Sequence, residues 1–589
     1  MKTSALLAAG LALALVLVPV YAQPDEAETR RLHELFERRW DESARLAPEW
    51  ATFRGDRRYD GRFSDASPEG IAAQDEALRR SLAEARSIRR ERLSLLDQVS
   101  LDLFIDALER WQAINAFDGW RRQSISASFG FQSRFAGLLR AMPVDGPQRA
   151  ADVLARMEAY PRRVAQEIER VRGAIARGWV APRPVLERAL REIDGQVAAA
   201  PRDGPFFVPF RAPPPQMPRE EFDAWAARAE QAIAEHVLPA QRRLRAFIAD
   251  ELLPVAPAAG GLLRYPDGVR VYAELVRQQT TTDLTPQQVH ELGRREMARL
   301  KAGFAEVQKA MKFEGSFAQF VAHLNGPQYR YPSPEAMLEG YRSVAKRIDP
   351  EMPALFAELP RIPYGVRPMP AFLGPGAADN YSAPPADGSG PGWYNANILA
   401  YQRRPRWALP TLVAHETVPG HHLQSARARE IGSLPEFRRQ AFYPAFGEGW
   451  ALYAETLGER FGLYEAPEDR FGHLQGQALR AARLVIDTGL HAYGWSRQQA
   501  IDYLVDEVGE SPIFAESEVD RYLSNPGQAL AYTIGKLKII ELRERAQAKL
   551  GARFDLRRFH NVVIDQGPMP LAVLERHVDE WIAAQAAGR

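Results

Sequence analysis

The residues best suited to chemistry are concentrated in one eight-residue segment, His415-Glu416-Thr417-Val418-Pro419-Gly420-His421-His422. Neutral imidazoles are good zinc ligands, and a carboxylate beside them can act as a general base. The usual short zinc motif is His-Glu-x-x-His, with its histidines four residues apart on one helical face. Here the residue four positions after His415 is Pro419, which cannot bind a metal. A second ligand must therefore come from further along the chain.

The spacing of the later histidines requires a break in the helix. In a straight helix His421 would lie about 9 Å along the axis from His415, and His422 about 10.5 Å. Zinc needs its imidazole nitrogens within about 2.1 Å. Pro419 removes a helical hydrogen bond and Gly420 permits unusual torsions, so we expect a bulge or loop that brings one imidazole back. His421 is the preferred second ligand, and His422 would then lie around the ligands or contact a substrate.

A third ligand is expected from the segment Gly447-Glu448-Gly449-Trp450-Ala451-Leu452-Tyr453-Ala454-Glu455, which has the pattern of a helix. Glu448 is the natural candidate. Glu455 lies two turns later on nearly the same face, where it could hydrogen-bond the far nitrogen of a histidine ligand. A fourth position at the metal would stay open for water.

The elements around these residues are predicted to be mainly α-helical. Apolar residues recur at three- and four-residue spacing among Arg, Glu and Ala in four long stretches, namely 26–50, 68–111, 149–178 and 219–253. Thr285, Ser433 and Ser496 each precede Gln or Glu by three residues, which is the capping-box pattern of a helix start. Residues 392–398 are the best strand candidate. They lie in the long irregular region 361–410, so we expect a cleft beside the metal-site helix with a small β element in it.

Composition and charge exclude several classes of protein. The 589 residues carry 76 basic and 75 acidic side chains, and this balance argues against nucleic acid as a partner. The sequence contains no cysteine. This excludes disulfides, cysteine nucleophiles, cysteine zinc sites and a lipid-modified cysteine.

The first 22 residues have the pattern of an export signal. Lys2 precedes an apolar run, and Val20-Tyr21-Ala22 fits a cleavage site. We expect a periplasmic or secreted protein with no stable membrane span after cleavage; an uncleaved anchor is the alternative. The remaining 23–589 would form one helical unit, with a possible N-terminal subdomain 23–255 and a catalytic subdomain 256–589. The oligomeric state is left open.

Three motifs together resemble a bacterial family. They are His-Glu-x-x-Pro-Gly-His-His from His415, Glu-Gly-Trp-Ala-x-Tyr from Glu448, and Gln-x-x-x-Tyr-x-x-Gly from Gln528. The chain is similar in these motifs to the family called domain of unknown function 885, which is grouped with gluzincin-type zinc metallopeptidases. The resemblance covers most of the mature chain and is densest between Trp393 and Arg543. It implies a large helical metallopeptidase-like fold with a deep cleft.

The resemblance also implies roles for individual residues. It places one Zn²⁺ ion on His415, His421 and Glu448, with Glu416 as the general base. By analogy with other gluzincins, Tyr532 would donate a hydrogen bond to the oxyanion that forms at the scissile carbonyl, with His422 as the alternative donor.

Further residues are candidates for contacts with a peptide substrate. Arg483, Asp487 and His491 are spaced four apart and share one helical face, where they could bind a substrate terminus or orient the ligands. Tyr394 and Asn395 lie in the predicted strand, which could pair with an extended peptide by strand addition.

The predicted function is zinc-dependent hydrolysis of peptide bonds, in short peptides because helical walls would restrict entry. Two alternatives remain open at this point. One is a peptide- or metal-binding protein without catalysis on the same scaffold, and the other is a zinc hydrolase of a non-peptide amide. The sequence does not distinguish cleavage at a chain end from internal cleavage.

Overall fold

The structure, a computed structural model, describes residues 25–127, 130–258, 260–369, 378–385, 390–432 and 434–587. The predicted export signal at residues 1–22 lies outside these described residues. Among the helices within them, none combines the length and the apolar character that a membrane span requires.

Helices dominate the described residues, which confirms the predicted mainly α fold. The first ten are α1 (Glu26–Leu46), α2 (Pro48–Phe53), α3 (Pro68–Arg86), α4 (Leu95–Asn115), α5 (Asp118–Arg121), α6 (Phe131–Arg140), α7 (Pro147–Ile175), α8 (Arg183–Ala198), α9 (Arg219–Ala232) and α10 (Leu238–Phe247). The middle of the chain forms α11 (Gly268–Thr280), α12 (Pro286–Ala310), α13 (Phe317–Leu324), α14 (Pro334–Ile348) and α15 (Met352–Leu355).

The described residues of the C-terminal part, which contains the motifs, form further α-helices. These are α16 (Leu409–Glu416), α17 (His421–Glu430), α18 (Glu436–Arg439), α19 (Pro444–Leu457), α20 (Pro467–Ala492), α21 (Arg497–Tyr503), α22 (Pro512–Ser524), α23 (Ala531–Leu550), α24 (Leu556–Ile564) and α25 (Leu571–Ala586). The predicted capping boxes at Thr285 and Ser496 are confirmed with both hydrogen bonds present. The one predicted at Ser433 lies outside the described residues.

A small sheet lies beside α17. It consists of β1 (Tyr364–Pro368), β2 (Asn380–Ser382) and β3 (Gly392–Ala396), in the order β1-β3-β2. The pair β1 and β3 is parallel, whereas β2 and β3 are antiparallel. The predicted strand is confirmed as β3, and its two partners were not predicted.

Buried apolar side chains form several cores. One lies among α6 to α10, and a smaller one joins α1, α3 and α4. A third joins α12, α13 and α20 to α22, and the largest gathers around α14, α16, α19 and α23 to α25. The division into subdomains at residue 255 stays a prediction.

Helix α20 runs through the middle of the C-terminal part. Nearly every residue from Phe471 to His491 is buried, because α12, α16 and other elements cover the helix on all sides. Polar residues on this helix must therefore find their partners inside the protein.

Helices α19 and α23 cross with their backbones in contact. A Cβ on Gly535 would lie 1.8 Å from the carbonyl oxygen of Ala445, and a Cβ on Gly449 would lie 2.5 Å from the Cα of Gly535. Only glycine at both positions allows so close a crossing. The crossing brings Glu448, which precedes Gly449, close to Tyr532, which lies one turn before Gly535.

We predict that Gly535→Ala destabilises the fold by about 2 kcal/mol, because the added methyl group forces α19 and α23 apart. Urea unfolding followed by tryptophan fluorescence measures this change. The matched control is Gly195→Ala in α8, where nothing lies within 4 Å of the added Cβ. That substitution should stabilise the chain by about 0.5–1 kcal/mol. Equal unfolding curves for the two variants would contradict the close crossing.

Candidate metal centre

The histidine segment is divided between two helices. Helix α16 ends at Glu416 and α17 begins at His421, so the residues Thr417–Gly420 connect them. The Val418–Pro419 peptide bond is cis. The indole of Trp450 in α19 donates a hydrogen bond of 2.9 Å to the carbonyl oxygen of Pro419. The chain thus leaves the helix where a bulge or loop was expected, and α19 fixes the turn from one side.

Gly420 allows this turn to fold back on α16. A Cβ at this position would lie 2.0 Å from the carbonyl oxygen of His415, so no other residue fits without moving the backbone. As a result α17 starts beside the end of α16. The turn returns His421 to the neighbourhood of His415, although a straight helix would hold them far apart.

Three potential ligand side chains meet beside this turn. Nε2 of His421 lies 3.3 Å from Oε2 of Glu448, and Nε2 of His415 lies 3.7 Å from the same oxygen. The two imidazole rings are nearly perpendicular, with centroids 4.8 Å apart. The ligand atoms of the three residues all lie within 4.8 Å of one another.

This set of atoms fits a zinc ion by spacing and by chemistry. A tetrahedral zinc with ligands about 2.1 Å away holds neighbouring ligand atoms about 3.4 Å apart. The two distances to the Glu448 carboxylate are close to that value. Two imidazole nitrogens and one carboxylate oxygen are also donors that zinc accepts, so the residues present suit the metal that the sequence predicted.

Glu455 orients His415 from the side away from Glu448. Nδ1 of His415 donates to Oε1 of Glu455 at 2.8 Å, which leaves the Nε2 lone pair for a metal. The amide of Gln477 donates to the other Glu455 oxygen at 2.7 Å, and the ammonium of Lys536 donates to the Gln477 oxygen at 2.9 Å. A chain of hydrogen bonds from α23 through α20 thus supports the first ligand.

The local charges favour an ionised Glu448. Burial alone would raise the pKa of this carboxyl, but the imidazoles of His415 and His421 outweigh burial and hold it well below its usual value. Burial alone would lower the pKa of His415, but the carboxylates of Glu448 and Glu455 outweigh it and raise the pKa. The pocket therefore keeps its carboxylate in the form that binds a cation.

Glu416 is the last residue of α16 and lies between the two histidines along the chain. Its side chain is only 8% exposed. Burial raises the pKa of the carboxyl group to about 8; His421 opposes this shift, and the charge of Glu448 adds to it. A carboxylate in such surroundings is a better proton acceptor than an exposed one.

Tyr532 and Arg483 extend the site from His415 into the cleft. The Tyr532 ring lies 6.4 Å from the His415 ring, centroid to centroid, at an angle of 18°. Cζ of Arg483 lies 4.5 Å from the centre of the Tyr532 ring. Burial, together with the charge of Glu448, raises the pKa of Tyr532, so its hydroxyl group keeps its proton and can donate.

His422 lies outside the group of three, and both its ring nitrogens are engaged. Nε2 donates to the carbonyl oxygen of Ile362 at 3.0 Å, and Nδ1 accepts from the hydroxyl group of Tyr381 at 3.0 Å. Burial lowers the pKa of His422 to about 4, which keeps the ring neutral. The side chain links α17 to the small sheet.

The expectation that β3 pairs with a peptide by strand addition is wrong. β3 is the central strand, and β1 and β2 already occupy its two edges. The Tyr394 hydroxyl group donates to Asp379 at 2.6 Å. The Asn395 side chain accepts from Arg367 and donates to Asn380 and Ser382 within the sheet. Both residues therefore hold the sheet together.

Asp487 and His491 of α20 make hydrogen bonds inside the protein. Asp487 accepts from the Tyr272 hydroxyl group at 2.6 Å and from the backbone of Gly527 at 3.0 Å. His491 accepts from the backbone of Leu262 at 3.2 Å and donates to the carbonyl oxygen of Tyr522 at 3.1 Å. Because Gly527 precedes α23, Asp487 helps to place the start of that helix, where Tyr532 lies.

Some residues at the site were missed by the sequence reasoning. Arg480 is three positions before Arg483, so the spacing rule that grouped Arg483 with Asp487 would also have found it. Gln477 and Lys536 gave no signal, because they reach Glu455 only through the folded structure.

The three potential metal ligands line one large cleft. Its volume is about 4070 Å³, and it exposes all three potential ligands together with Glu416, Tyr532, Arg480 and Arg483. Large aromatic side chains also line it; Trp50 and Trp111 are both 62% exposed, and Phe442 is 66% exposed. The cleft thus combines polar and exposed apolar side chains, as binding sites for peptides often do.

Known proteins are similar to this chain in sequence and fold. A crystal structure from Colwellia psychrerythraea, of a protein provisionally called a lipoprotein, is 28% identical, with a TM-score of 0.89 over 94% of this chain and 99% of that one. A solved structure from Shewanella oneidensis, of a protein provisionally called a lipoprotein of unknown function, is 20% identical, with a TM-score of 0.69 over 92% of this chain and 99% of that one. The second likeness concerns the fold alone. No curated protein matches the chain.

A family model covers most of the chain. The model for bacterial proteins of unknown function called DUF885 matches residues 48–578, which include every candidate site residue. The chain belongs to this family.

We predict that His421→Ala weakens zinc binding by at least about a hundredfold, since even residues that only support a zinc ligand contribute ten- to a hundredfold. His422→Ala should change the affinity by no more than a few-fold, because its nitrogens are engaged elsewhere. Competition titration with a chromophoric chelator measures both affinities. Loss of zinc in His422→Ala with retention in His421→Ala would reverse the assignment.

Proposed function

We propose that this DUF885 protein is a zinc-dependent peptidase that hydrolyses short peptides. The observation that carries the proposal is the meeting of His415, His421 and Glu448 in one cleft, with the buried carboxyl group of Glu416 beside them. Two imidazoles and one carboxylate are the protein ligands of a well-known type of catalytic zinc site, which leaves a position for water.

The ligand residues would hold zinc through Nε2 of both histidines and a carboxylate oxygen of Glu448. When bound, zinc supplies a Lewis acid that polarises the scissile carbonyl and makes a water molecule more acidic. Glu455 keeps His415 in the tautomer whose Nε2 carries the lone pair. It also fixes the ring against rotation, so the site is organised before the substrate arrives.

Glu416 is the proton carrier in this proposal. Its carboxylate takes a proton from the attacking water and later passes it to the leaving amine. Burial raises the pKa of the group to about 8, which favours proton uptake. A divalent cation on the neighbouring ligands would favour the ionised form, so the carboxylate is available as a base when the site is loaded.

Tyr532 is the donor to the oxyanion that develops on the substrate carbonyl. Its ring lies beside His415, and its hydroxyl group keeps the proton that it donates. We assign this role to Tyr532 rather than to His422, since the only N–H of neutral His422 is already given to Ile362.

The shape of the cleft supports a peptide as the substrate. Its volume of about 4070 Å³ exceeds the roughly 300–1,000 Å³ of ordinary small-molecule pockets. Phe442 packs close to Gly447, next to Glu448, and is mostly exposed, so it offers an apolar surface to substrate side chains beside the metal ligands.

We also propose that the protein is exported. The proposal rests on the signal pattern of residues 1–22. It agrees with the lipoprotein names given provisionally to the proteins of the two similar solved structures. A lipid on cysteine is excluded here, since the sequence has no cysteine. Export with cleavage of the signal would give a periplasmic or secreted protein, and export without cleavage a membrane-anchored one.

We predict that Glu416→Gln retains zinc but lowers kcat for peptide hydrolysis by about 10²–10⁴-fold, the usual contribution of a general base. Peptide products are followed by mass spectrometry, and the zinc content is measured on the same samples. The matched control is Glu459→Gln, the same change at an exposed position after α19, which should leave both quantities unchanged.

Two outcomes would contradict the proposal. Unchanged turnover in Glu416→Gln would show that another group is the base. A purified chain that binds no zinc, with all three ligands intact, would show that it is not a zinc enzyme. Including acylated amides among the substrates separates peptide hydrolysis from hydrolysis of other amides.

A further inference from the structure

We propose that Arg483, together with Arg480, anchors a carboxylate of the substrate, so that the protein selects peptides whose free C-terminus reaches this pair of guanidinium groups. This inference rests on the proposed peptidase function and specifies its substrate class. It assigns to α20 a binding role separate from holding the metal ligands.

Arg483 lines the cleft and carries a buried donor that is not satisfied. The residue is only 7% exposed. Its Nε donates to the Tyr522 hydroxyl group at 3.1 Å, and its Nη2 donates to Glu518 at 2.8 Å. Nη1 is buried and has no hydrogen-bond partner among the residues that the structure describes, although Arg483 lines the cleft. A buried N–H of a charged group without a partner is costly, so a missing acceptor is the simplest explanation.

Arg480 presents a second such donor one helical turn away. Its Nη1 donates to the carbonyl oxygen of Gly476 at 3.1 Å, and its Nη2 lies 3.8 Å from Glu455. Its Nε is buried without a partner among the described residues. Both arginines therefore line the cleft, and each holds a buried N–H that no described residue accepts. The planar guanidinium group is the side chain best suited to bind a carboxylate.

The distance to the metal ligands fits a short C-terminal stretch of peptide. The Arg483 guanidinium lies 4.5 Å from the Tyr532 ring, and that ring lies 6.4 Å from His415. A carboxylate at Arg483 is thus within roughly three extended residues of the metal site. The scissile bond would lie one to three residues before the C-terminus.

The charges around the pair favour an anion. Glu518 is shared between Arg483 and Arg521, and it accepts from Arg521 at 2.9 and 3.0 Å. Glu455 lies near Arg480 and also accepts a hydrogen bond from His415. Arg480, Arg483 and Arg521 therefore outnumber the ionised carboxylates beside them, which are those of Glu455 and Glu518. One anionic group of a substrate would restore the balance.

Glu510 is the group that opposes such an anion. It lies in the loop before α22 and lines the cleft, where it faces Arg480, Arg483, Arg404 and Glu518. Burial, helped by the charge of Glu518, raises the pKa of Glu510 to about 7. Glu510 is therefore mostly neutral at pH 6 and mostly ionised at pH 8, where it competes with a bound carboxylate.

The first test uses two forms of one short peptide. One form has a free C-terminal carboxylate, and the other is the C-terminal amide. Binding is measured by calorimetry in the zinc-loaded Glu416→Gln chain, so that hydrolysis does not intervene. The free acid should bind at least tenfold more tightly than the amide. Arg483→Gln in the same background should remove this preference, so that the free acid binds no more tightly than the amide. Arg219→Gln, at a site 75% exposed outside the cleft, is the matched control and should keep it.

A third peptide identifies the source of the carboxylate. It is amidated at the C-terminus and carries glutamate as its last residue. Weak binding supports recognition of the terminus. Binding as tight as that of the free acid would overturn it in favour of a side-chain carboxylate. Equal binding of acid and amide by the starting chain, or an unchanged preference in Arg483→Gln, would overturn the site itself.

A second variant tests the site without disturbing the buried arginines. The affinity for the free acid should fall about fivefold between pH 6 and pH 8 as Glu510 ionises. Glu510→Gln should abolish that fall and raise the affinity at pH 8. Asp487 has a pKa of about 7 as well, owing to burial, but it is unchanged in this variant. A fall that persists in Glu510→Gln would overturn the arrangement of charges.

The outcome separates the two proposals. If the wild-type chain hydrolyses no peptide but the free acid still binds preferentially through Arg483, the peptidase function fails and the carboxylate site stands. If peptides are hydrolysed with equal kcat/KM for acid and amide, the peptidase function stands and the carboxylate site fails.

Discussion

A carboxylate without access to solvent is stable only where its neighbours replace the lost hydration, and Glu455 meets this constraint at the centre of the site. Its side chain is fully buried. His415 and Gln477 donate to its two oxygens, and the charge of Arg480 lies 3.8 Å away. Burial alone would raise the pKa of Glu455, but Arg480 and His415 outweigh it and lower the pKa. One carboxylate thus ties α16, α19 and α20 together and sets the orientation of the first potential ligand.

Features of the fold and the site that depend on local rules could be predicted from the sequence. The capping boxes at Thr285 and Ser496 are confirmed, because each involves residues within one helical turn. The seven-residue spacing of Glu448 and Glu455 places both on one face of α19, where one carboxylate meets His421 and the other supports His415. The break between α16 and α17 followed from the chemistry of Pro419 and Gly420.

Features that depend on distant partners could not be predicted. The strand β3 was found, yet its central position depends on β1 and on a β2 of only three residues, Asn380–Ser382. Arg483, Asp487 and His491 share a helical face, but spacing does not reveal what lies opposite. Asp487 accepts hydrogen bonds from Tyr272 and Gly527, whereas Arg483 lines the cleft. His422 differs from His421 only in which side of α17 it faces, and Ile362 and Tyr381 decide its environment.

The proposed substrate site and the metal ligands are connected through one guanidinium group. Arg480 lies beside Glu455, which holds His415; the residue lines the cleft, and its buried Nε has no partner among the described residues. A carboxylate bound there would compete with Glu455 for the charge of Arg480. Glu455 would then be a stronger acceptor for Nδ1 of His415, and a stronger acceptor makes Nε2 more basic toward a metal. Unit charges about 4 Å apart interact by about 4 kcal/mol near a protein surface, so even a small shift of this charge reaches the ligand. Because such coupling is reciprocal, a metal on His415 would strengthen the hold on the substrate carboxylate in return.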